Sequence, residues 1–171
     1  MAVREILKYG DPRLLQRNEP VVAFDDPALP LLVRDLLDSC WAAPGYGLAA
    51  PQIGVNRRVA VVDLSVGKDP SQVLVLVNPV VAEVEGAVRD EEGCLSLPDV
   101  VEVVERPEQV WLEAFDEKGE KRTLRGSDLL ARAFCHEVDH LDSRLFIDRL
   151  SSLKRSLVLR KVVRRQRRGA W

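Results

Sequence analysis

Long apolar runs are absent from this 171-residue sequence, which limits the surroundings it can occupy. No stretch approaches the roughly 20 consecutive apolar residues that a membrane-spanning helix needs. The N-terminus carries the acidic Glu5 at a point where a secretory signal peptide would already be hydrophobic. We therefore expect a cytoplasmic protein with no membrane partner.

Cysteine and histidine are both scarce. The three cysteines, Cys40, Cys94 and Cys135, are an odd number in a chain without a secretory signal, so we expect no disulfide framework. Reduced thiols are instead available for metal binding or redox chemistry. His136 and His140 are the only histidines in the chain. A site that needs a third histidine is therefore excluded.

The overall composition is that of an ordinary globular protein. Apolar residues make up 46% of the chain and charged residues 30%, which differs from the low hydrophobicity of disordered chains. The length suits one hydrophobic core. We therefore expect residues 1–171 to form a single domain, with residues 151–171 as a basic C-terminal helix.

The order of predicted elements indicates an α+β fold. Leu32, Leu36 and Leu37 have helical spacing within residues 27–41, with Asp26 before them as a candidate cap. Residues 58–124 contain β-branched runs separated by Gly, Pro, Asn and Asp, which predict strands and a hairpin turn at 116–119. Further helices are predicted from about Ser127 and Ser151. We expect mixed or antiparallel strands around a central helix, with an N-terminal and a C-terminal helix.

The central helix contains His136-Glu137-Val138-Asp139-His140. Two imidazoles at positions i and i+4 of a helix project side by side and can bind one metal ion. Glu137 then lies where it can act as general base and general acid. The alternatives are two hydrogen-bonded core histidines and a surface carboxylate. The remaining arc of this helix is expected to be its polar edge, and it contains Arg132, Cys135, Asp139 and Asp142.

A catalytic metal needs a third protein ligand from elsewhere in the chain. Cys94, in a turn-rich segment between predicted strands, is the favoured candidate. Cys135 points about 100° away from His136 on the helix, Cys40 lies in an apolar helical pattern, and Asp or Glu residues remain alternatives. One thiolate with two imidazoles suits a single zinc or ferrous ion and disfavours magnesium and calcium.

The small-residue loop at 45–52 is by itself typical of a tight, well-packed turn. An amide hydrolase, however, needs donors aimed at the oxyanion that develops on the carbonyl oxygen. The side-chain amide of Gln52 is one candidate donor, and the backbone N–H of Leu95 is a second.

Three segments of the sequence, in this order, resemble the signature motifs of bacterial peptide deformylases. They are Gly45-Tyr46-Gly47-Leu48-Ala49-Ala50-Pro51-Gln52, Glu92-Gly93-Cys94-Leu95-Ser96 and His136-Glu137-Val138-Asp139-His140. The resemblance implies a catalytic domain that removes the formyl group from the N-terminal formylmethionine of new polypeptides and releases formate. It implies one divalent metal ion, natively Fe2+, that Zn2+ or another transition metal can replace.

The resemblance also implies a role for each residue at a matching position. Cys94, His136 and His140 would bind the metal, and Glu137 would be the acid/base. Gln52 and the Leu95 amide would stabilise the oxyanion. The segment from Gly45 through Tyr46 to Gly47 would bound the site for N-formylmethionyl peptides.

Three residues depart from the usual family pattern. Ser143 stands in place of Gly, so we expect the central helix to end differently. Cys135 stands in place of Gln before the first histidine, and Tyr46 stands in place of an aliphatic residue. We hypothesise that Tyr46 lines the edge of the methionine pocket.

The C-terminal 21 residues are strongly basic and contain no acid. Such a run is often only a solvated helix face, but it can also attach to phosphate-rich RNA. Because the predicted substrate is a nascent chain, the ribosome is the expected surface; DNA is not an expected partner. The basic residues are Lys154, Arg155, Arg160, Lys161, Arg164, Arg165, Arg167 and Arg168.

Two other functions fit part of the pattern. A zinc endopeptidase also uses His-Glu-x-x-His, but it usually needs a downstream third ligand, for which Asp148 is the candidate here. A non-catalytic RNA-binding module would use the basic helix and keep the histidines as structural residues.

Overall fold

The computed structural model describes residues 3–169. These residues contain three α-helices and seven β-strands, joined by short 3-10 turns. The helices are α1 (Ala28–Ala42), α2 (Asp128–Leu141) and α3 (Ser152–Arg167). The strands are β1 (Gly47–Ala49), β2 (Val59–Val62), β3 (Leu74–Glu85), β4 (Val88–Cys94), β5 (Leu97–Arg106), β6 (Gln109–Phe115) and β7 (Lys121–Ser127).

The strands form two antiparallel sheets. Five of them make one sheet in the order β1-β2-β3-β6-β7, and β4 and β5 pair with each other as a separate hairpin. The predicted turn at 116–119 joins β6 to β7, where the Asp116 carboxylate accepts hydrogen bonds from the N–H groups of Lys118 and Glu120. The expectation of an α+β fold is confirmed.

The five-stranded sheet is a middle layer between α1 and α2. All four residues of β2 are buried, because alternate side chains point to opposite faces and both faces are covered. Val59 and Val61 belong to the cluster that includes α1, whereas Ala60 and Val62 belong to the cluster that includes Phe134 of α2. Helix α2 is therefore central to the molecule, as predicted.

Helix α3 packs on the β4–β5 hairpin. Val158 and Val162 are buried in a third cluster with Leu97, Val104 and the segment that follows α2. The Ser151 side chain caps the helix by accepting a hydrogen bond from the Lys154 N–H, and most other α3 residues are exposed. The helix thus has a narrow apolar contact and a wide cationic surface. No helix within residues 3–169 is both long enough and apolar enough to cross a bilayer.

Candidate metal centre and active site

Helix α2 presents His136 and His140 one turn apart, as i, i+4 spacing requires. Their ring centroids are 5.0 Å apart, and the Nε2 atom of His140 lies 3.3 Å from the Sγ atom of Cys94. The three residues each place one ligand atom so that all three atoms lie within 4.8 Å of one another. A soft sulfur and two imidazole nitrogens at such spacing fit a single transition-metal ion.

Cys94 reaches the helix from the end of β4. The register of the β4–β5 hairpin shifts there, because Gly93 pairs with Val101 whereas Cys94 pairs with Leu97. Burial opposes ionisation of the thiol, but the adjacent imidazoles of His140 and His136 hold the pKa of Cys94 well below its usual value. The thiolate is the form of cysteine that binds metals.

The two histidines differ in what their second ring nitrogen contacts. The Nδ1 atom of His136 lies 2.7 Å from a carboxylate oxygen of Glu92, so an Nδ1–H donor there leaves Nε2 free to ligate. Among residues 3–169, the buried Nδ1 atom of His140 has no hydrogen-bond partner. Both rings thus have Nε2 available as a ligand atom, which fits the binding of a single transition-metal ion.

Glu137 lies beside this group with only 3% of its surface exposed. Burial raises the pKa of Glu137 to about 7, against the opposing effect of the His136 and His140 charges. Its Oε2 atom has no hydrogen-bond partner in the described part of the chain. A Cβ atom on Gly47 would lie 2.5 Å from Oε1 of Glu137, so the absence of a side chain at Gly47 makes this close approach possible. The carboxyl group can therefore exchange a proton near neutral pH.

Gln52 is buried, and both ends of its side-chain amide make hydrogen bonds. Its side-chain oxygen accepts a hydrogen bond from the Ala49 N–H at 2.9 Å, and its Nε2 donates to Ser96 Oγ at 3.1 Å. The same Nε2 atom lies 3.6 Å from the Cys94 sulfur. Next to Cys94, the carbonyl of Leu95 accepts a hydrogen bond from the Lys8 ammonium at 2.8 Å. The Gln52 side-chain amide, one of the two candidate oxyanion donors, therefore lies next to the three-residue group, and the other candidate, the backbone N–H of Leu95, follows Cys94 directly in the chain.

A cavity of about 530 Å³ opens over these side chains. Its lining includes eight of the nine residues that the sequence predicted for the site, and the ninth, His140, lies beneath with 1% of its surface exposed. The eight are Gly45, Tyr46, Gly47, Gln52, Cys94, Leu95, His136 and Glu137.

Residues 3–156 match the family model for polypeptide deformylase. The chain belongs to the peptide deformylase family. It is 50% identical to the peptide deformylase of Acidobacterium capsulatum over the full length of both chains. It is 42% identical to that of Nitrosococcus oceani over 170 residues, which are 99% of this chain and all of the relative.

Solved peptide deformylase structures share the whole fold. The enzyme from Legionella pneumophila is 41% identical and superposes with a TM-score of 0.91, covering 99% of this chain and 98% of that one. The enzyme from Thermus thermophilus is 40% identical with a TM-score of 0.89, covering 98% and 99%. This deformylase is therefore a metal-dependent hydrolase that removes the formyl group from the N-terminus of new polypeptides.

The alternative ligands that the sequence left open lie outside the three-residue group of this deformylase. The Cys40 sulfur lies 3.2 Å from the Gly45 carbonyl oxygen, and burial raises the pKa of Cys40 to about 12. Cys135 lines a separate cavity behind α2. Asp148 caps the turn after α2 by accepting from the Leu145 N–H, and it also pairs with Arg155.

The three departures from the family pattern have different structural settings. Tyr46 lies at the cavity rim with 48% of its surface exposed, and its backbone carbonyl accepts from the Asp63 N–H at 2.8 Å. Cys135 is buried, and burial raises its pKa. The prediction for Ser143 is wrong, because Ser143 takes the left-handed conformation, with a φ of 59°, that is usual for glycine at a helix end.

The predicted polar edge of α2 is also mostly wrong. Arg132 and Asp139 have 6% and 3% of their surface exposed, and only Asp142 in that arc faces solvent. Both buried residues pair with charged side chains of the β4–β5 hairpin, namely Glu92 and Arg106. Sequence reasoning missed this pairing. The one available signal was the position of Glu92, two residues before Cys94.

Proposed function

We propose that this deformylase acts through one divalent metal ion bound by Cys94, His136 and His140. The observation that carries the proposal is the convergence of these three ligand atoms beneath the cavity, beside the buried Glu137. Fe2+ is the proposed native ion, because one thiolate with two imidazoles suits it and the family resemblance implies it. Zn2+ or another transition metal should also bind this donor set.

The chain's own side chains account for proton transfer and charge stabilisation. When bound, the ion supplies Lewis acidity that lowers the pKa of a water molecule to about 7. Glu137 accepts the proton of the attacking water and later donates it to the leaving amine nitrogen. The Gln52 side-chain amide and the Leu95 backbone N–H donate hydrogen bonds to the oxyanion on the formyl carbon. The bond between the formyl carbon and the amine nitrogen of this tetrahedral species then breaks, which releases formate and a free amine.

The substrate proposal is an N-formylmethionyl peptide lying along the loop of Gly45, Tyr46 and Gly47. This loop forms one rim of the cavity, and the exposed Tyr46 side chain lies at the edge of the proposed methionine pocket. We place the reaction in the cytoplasm, where nascent chains are available. We also propose that residues 1–171 act as one catalytic domain.

The test is formate release from formyl-Met-Ala-Ser by anaerobically purified protein, with metal content measured on every sample. Glu137→Ala should lose at least about 10²-fold in rate while it retains the metal. Glu83→Ala, which removes an exposed carboxylate of β3, is the matched control and should behave as the parent. Equal rates for Glu137→Ala and the parent would contradict the role of Glu137, and parent protein without bound metal would contradict the metal centre.

We further propose that α3 attaches the enzyme to ribosomal RNA. Three of its basic side chains already pair with acids of the same molecule, in the pairs Lys154–Glu102, Arg155–Asp148 and Arg165–Asp99. The other four basic residues of α3, together with Arg168 directly after it, make no ion pair within residues 3–169 and are available to phosphates. They are Arg160, Lys161, Arg164, Arg167 and Arg168.

Co-sedimentation with ribosomes at several salt concentrations tests this attachment. A variant with Arg160, Arg164 and Arg167 all changed to Gln should bind more weakly and with a smaller salt dependence, because each lost phosphate contact removes about one counterion. A variant with Lys154, Arg155 and Arg165 changed to Gln is the control of equal charge and should bind nearly as the parent. An equal loss of ribosome binding in both variants, or sedimentation that does not depend on salt, would refute the proposal. The activity of both variants on free formyl peptides should stay unchanged.

A further inference from the structure

A connected network of five charged side chains lies next to the candidate metal ligands. It consists of Glu92, Arg106, Arg132, Asp139 and Arg149. Four of them, Glu92, Arg106, Arg132 and Asp139, each have less than 7% of their surface exposed. Removing such charges from water costs several kcal/mol per ion unless the pairing geometry is excellent. Replacing buried ion pairs by well-packed hydrophobic residues is often neutral or stabilising, so stability alone is a weak explanation for this arrangement.

Glu92 is the member of the network that touches a proposed ligand. Its two carboxylate oxygens accept hydrogen bonds from Arg106 Nε at 3.0 Å and Arg106 Nη2 at 2.6 Å. Arg132 Nη1 donates a further bond at 2.9 Å, and His136 Nδ1 lies 2.7 Å away. Since a carboxylate has about four acceptor positions, Glu92 is saturated and cannot rotate without breaking bonds.

Arg106 joins Glu92 to the ligand-bearing helix at a second point. Its remaining terminal nitrogen, Nη1, donates to Asp139 Oδ2 at 2.7 Å. Asp139 immediately precedes His140 in the chain, and it also pairs with Arg149 on its outer side. One planar guanidinium thus connects the carboxylate that orients His136 with the turn of α2 that carries His140.

We propose that Arg106 is a positioning residue for the metal centre. It fixes the Glu92 carboxylate in the orientation that holds the His136 ring, and it fixes the last turns of α2 through Asp139. Both effects need a rigid fork with several donors, which arginine has and lysine lacks. The inference rests on the proposed metal ligands and extends them to a residue that contacts neither metal nor substrate.

The decisive measurement is the rate at which bound Co2+ is lost to excess EDTA, followed by the absorption bands of the cobalt–thiolate site. Arg106→Lys keeps the charge but cannot donate to both carboxylates in the same geometry. It should release Co2+ about 10- to 100-fold faster than the parent, as expected when a group supporting a ligand is lost. Arg149→Lys is the matched control, since it perturbs an outer ion pair on Asp139 with 44% of the arginine side chain exposed. It should change the release rate by no more than about twofold.

Two further variants separate positioning from a general loss of stability. If Arg106 acts through Glu92, adding Arg106→Lys to a Glu92→Gln background should accelerate release much less than it does in the parent. Asp139→Asn keeps the Arg106–Glu92 bonds but weakens the second anchor, so it should show a smaller acceleration even if Arg106→Lys fails to fold.

The outcomes distinguish this inference from the metal proposal. Parent protein that binds Co2+, together with parent-like release in Arg106→Lys or in Asp139→Asn, would overturn the positioning role alone. Full additivity of the Glu92→Gln and Arg106→Lys effects would overturn it as well. Parent protein that binds no Co2+ would overturn the metal centre and this inference with it.

Discussion

Gly47 brings the backbone of the cavity loop so close to Glu137 that no side chain fits between them. A Cβ atom there would lie 2.5 Å from Oε1 of Glu137 and 3.0 Å from its Cδ atom. Gly47→Ala should therefore push the proposed acid/base aside and lower kcat by about 10²-fold, the scale associated with a 1 Å misplacement. Because the displaced group is the end of a side chain, we expect the free energy of unfolding to change little. Formate release and thermal unfolding of the same sample measure both effects.

Gly126→Ala is the matched comparison. A Cβ atom at this position would lie 2.9 Å from a ring carbon of Phe134 and 3.1 Å from the Ala131 backbone nitrogen, inside the core. Overpacking of this kind costs about 1–3 kcal/mol of unfolding free energy. The folded fraction should keep the parent kcat, since Glu137 is untouched. A Gly47→Ala enzyme with parent kcat would show that Glu137 does not need its observed position.

From the sequence, we could predict only those residues of the candidate site whose side-chain type itself indicates the chemistry. Two histidines at i, i+4 around Glu137 indicate a metal site by themselves, and the resemblance supported Cys94 over the other cysteines. The network around Arg106 was not predictable. Arg132 and Asp139 look like surface residues on a helical projection, because a projection does not show that the β4–β5 hairpin covers this arc with Glu92 and Arg106.

At the scale of single elements, the end of α2 shows how a serine replaces the usual glycine. Ser143, with a φ of 59°, donates its N–H to the His140 carbonyl, and Arg144 donates to the Asp139 carbonyl at 2.8 Å. This is the Schellman arrangement of helix C-termini. The left-handed conformation costs a non-glycine residue roughly 1 kcal/mol, and the Ser143 hydroxyl offsets part of that by donating to the Gln16 carbonyl at 2.7 Å.

A pair of substitutions separates these two contributions. Ser143→Ala keeps the backbone strain and loses the hydroxyl, so it should reduce the unfolding free energy by about 1 kcal/mol. Ser143→Gly removes both the strain and the hydrogen bond, so its stability should stay close to that of the parent. Urea unfolding of the three proteins gives the comparison. If Ser143→Gly were as unstable as Ser143→Ala, the backbone strain would make no measurable contribution.

The helices were easier to predict than the strands. The three α-helices begin within one residue of the predicted positions, because apolar spacing and the neighbouring Ser and Asp residues define their starts. Asp26, a predicted cap, accepts a hydrogen bond from the Ala28 N–H. The β-branched runs that predict strands within residues 58–124 do not include β4, because its Val-Arg-Asp-Glu-Glu sequence is mostly charged and exposed and lacks the apolar alternation of a half-buried strand. Its pairing with β5, rather than its own propensity, makes it a strand.

At the scale of the whole molecule, the site exists only when three distant parts of the chain meet. The loop at 45–52 follows α1, Cys94 ends β4, and the histidines lie on α2 beyond the five-stranded sheet. The unfolded chain cannot present these proposed ligands together, so we expect a metal ion to bind the folded protein preferentially. Metal binding is therefore linked to global stability.

Removal of the metal should accordingly lower the melting temperature. At a free metal concentration about 100 times the dissociation constant, binding adds about 2.7 kcal/mol, which corresponds to roughly 5–10 °C for a chain of this length. Differential scanning calorimetry with Zn2+ and with a chelator measures the shift. Cys94→Ala is the control, because it removes one of the three proposed ligands and should melt at nearly the same temperature in both conditions. A shift of equal size in Cys94→Ala would place the stabilising ion elsewhere, and a parent protein insensitive to the chelator would show that folding does not depend on this centre.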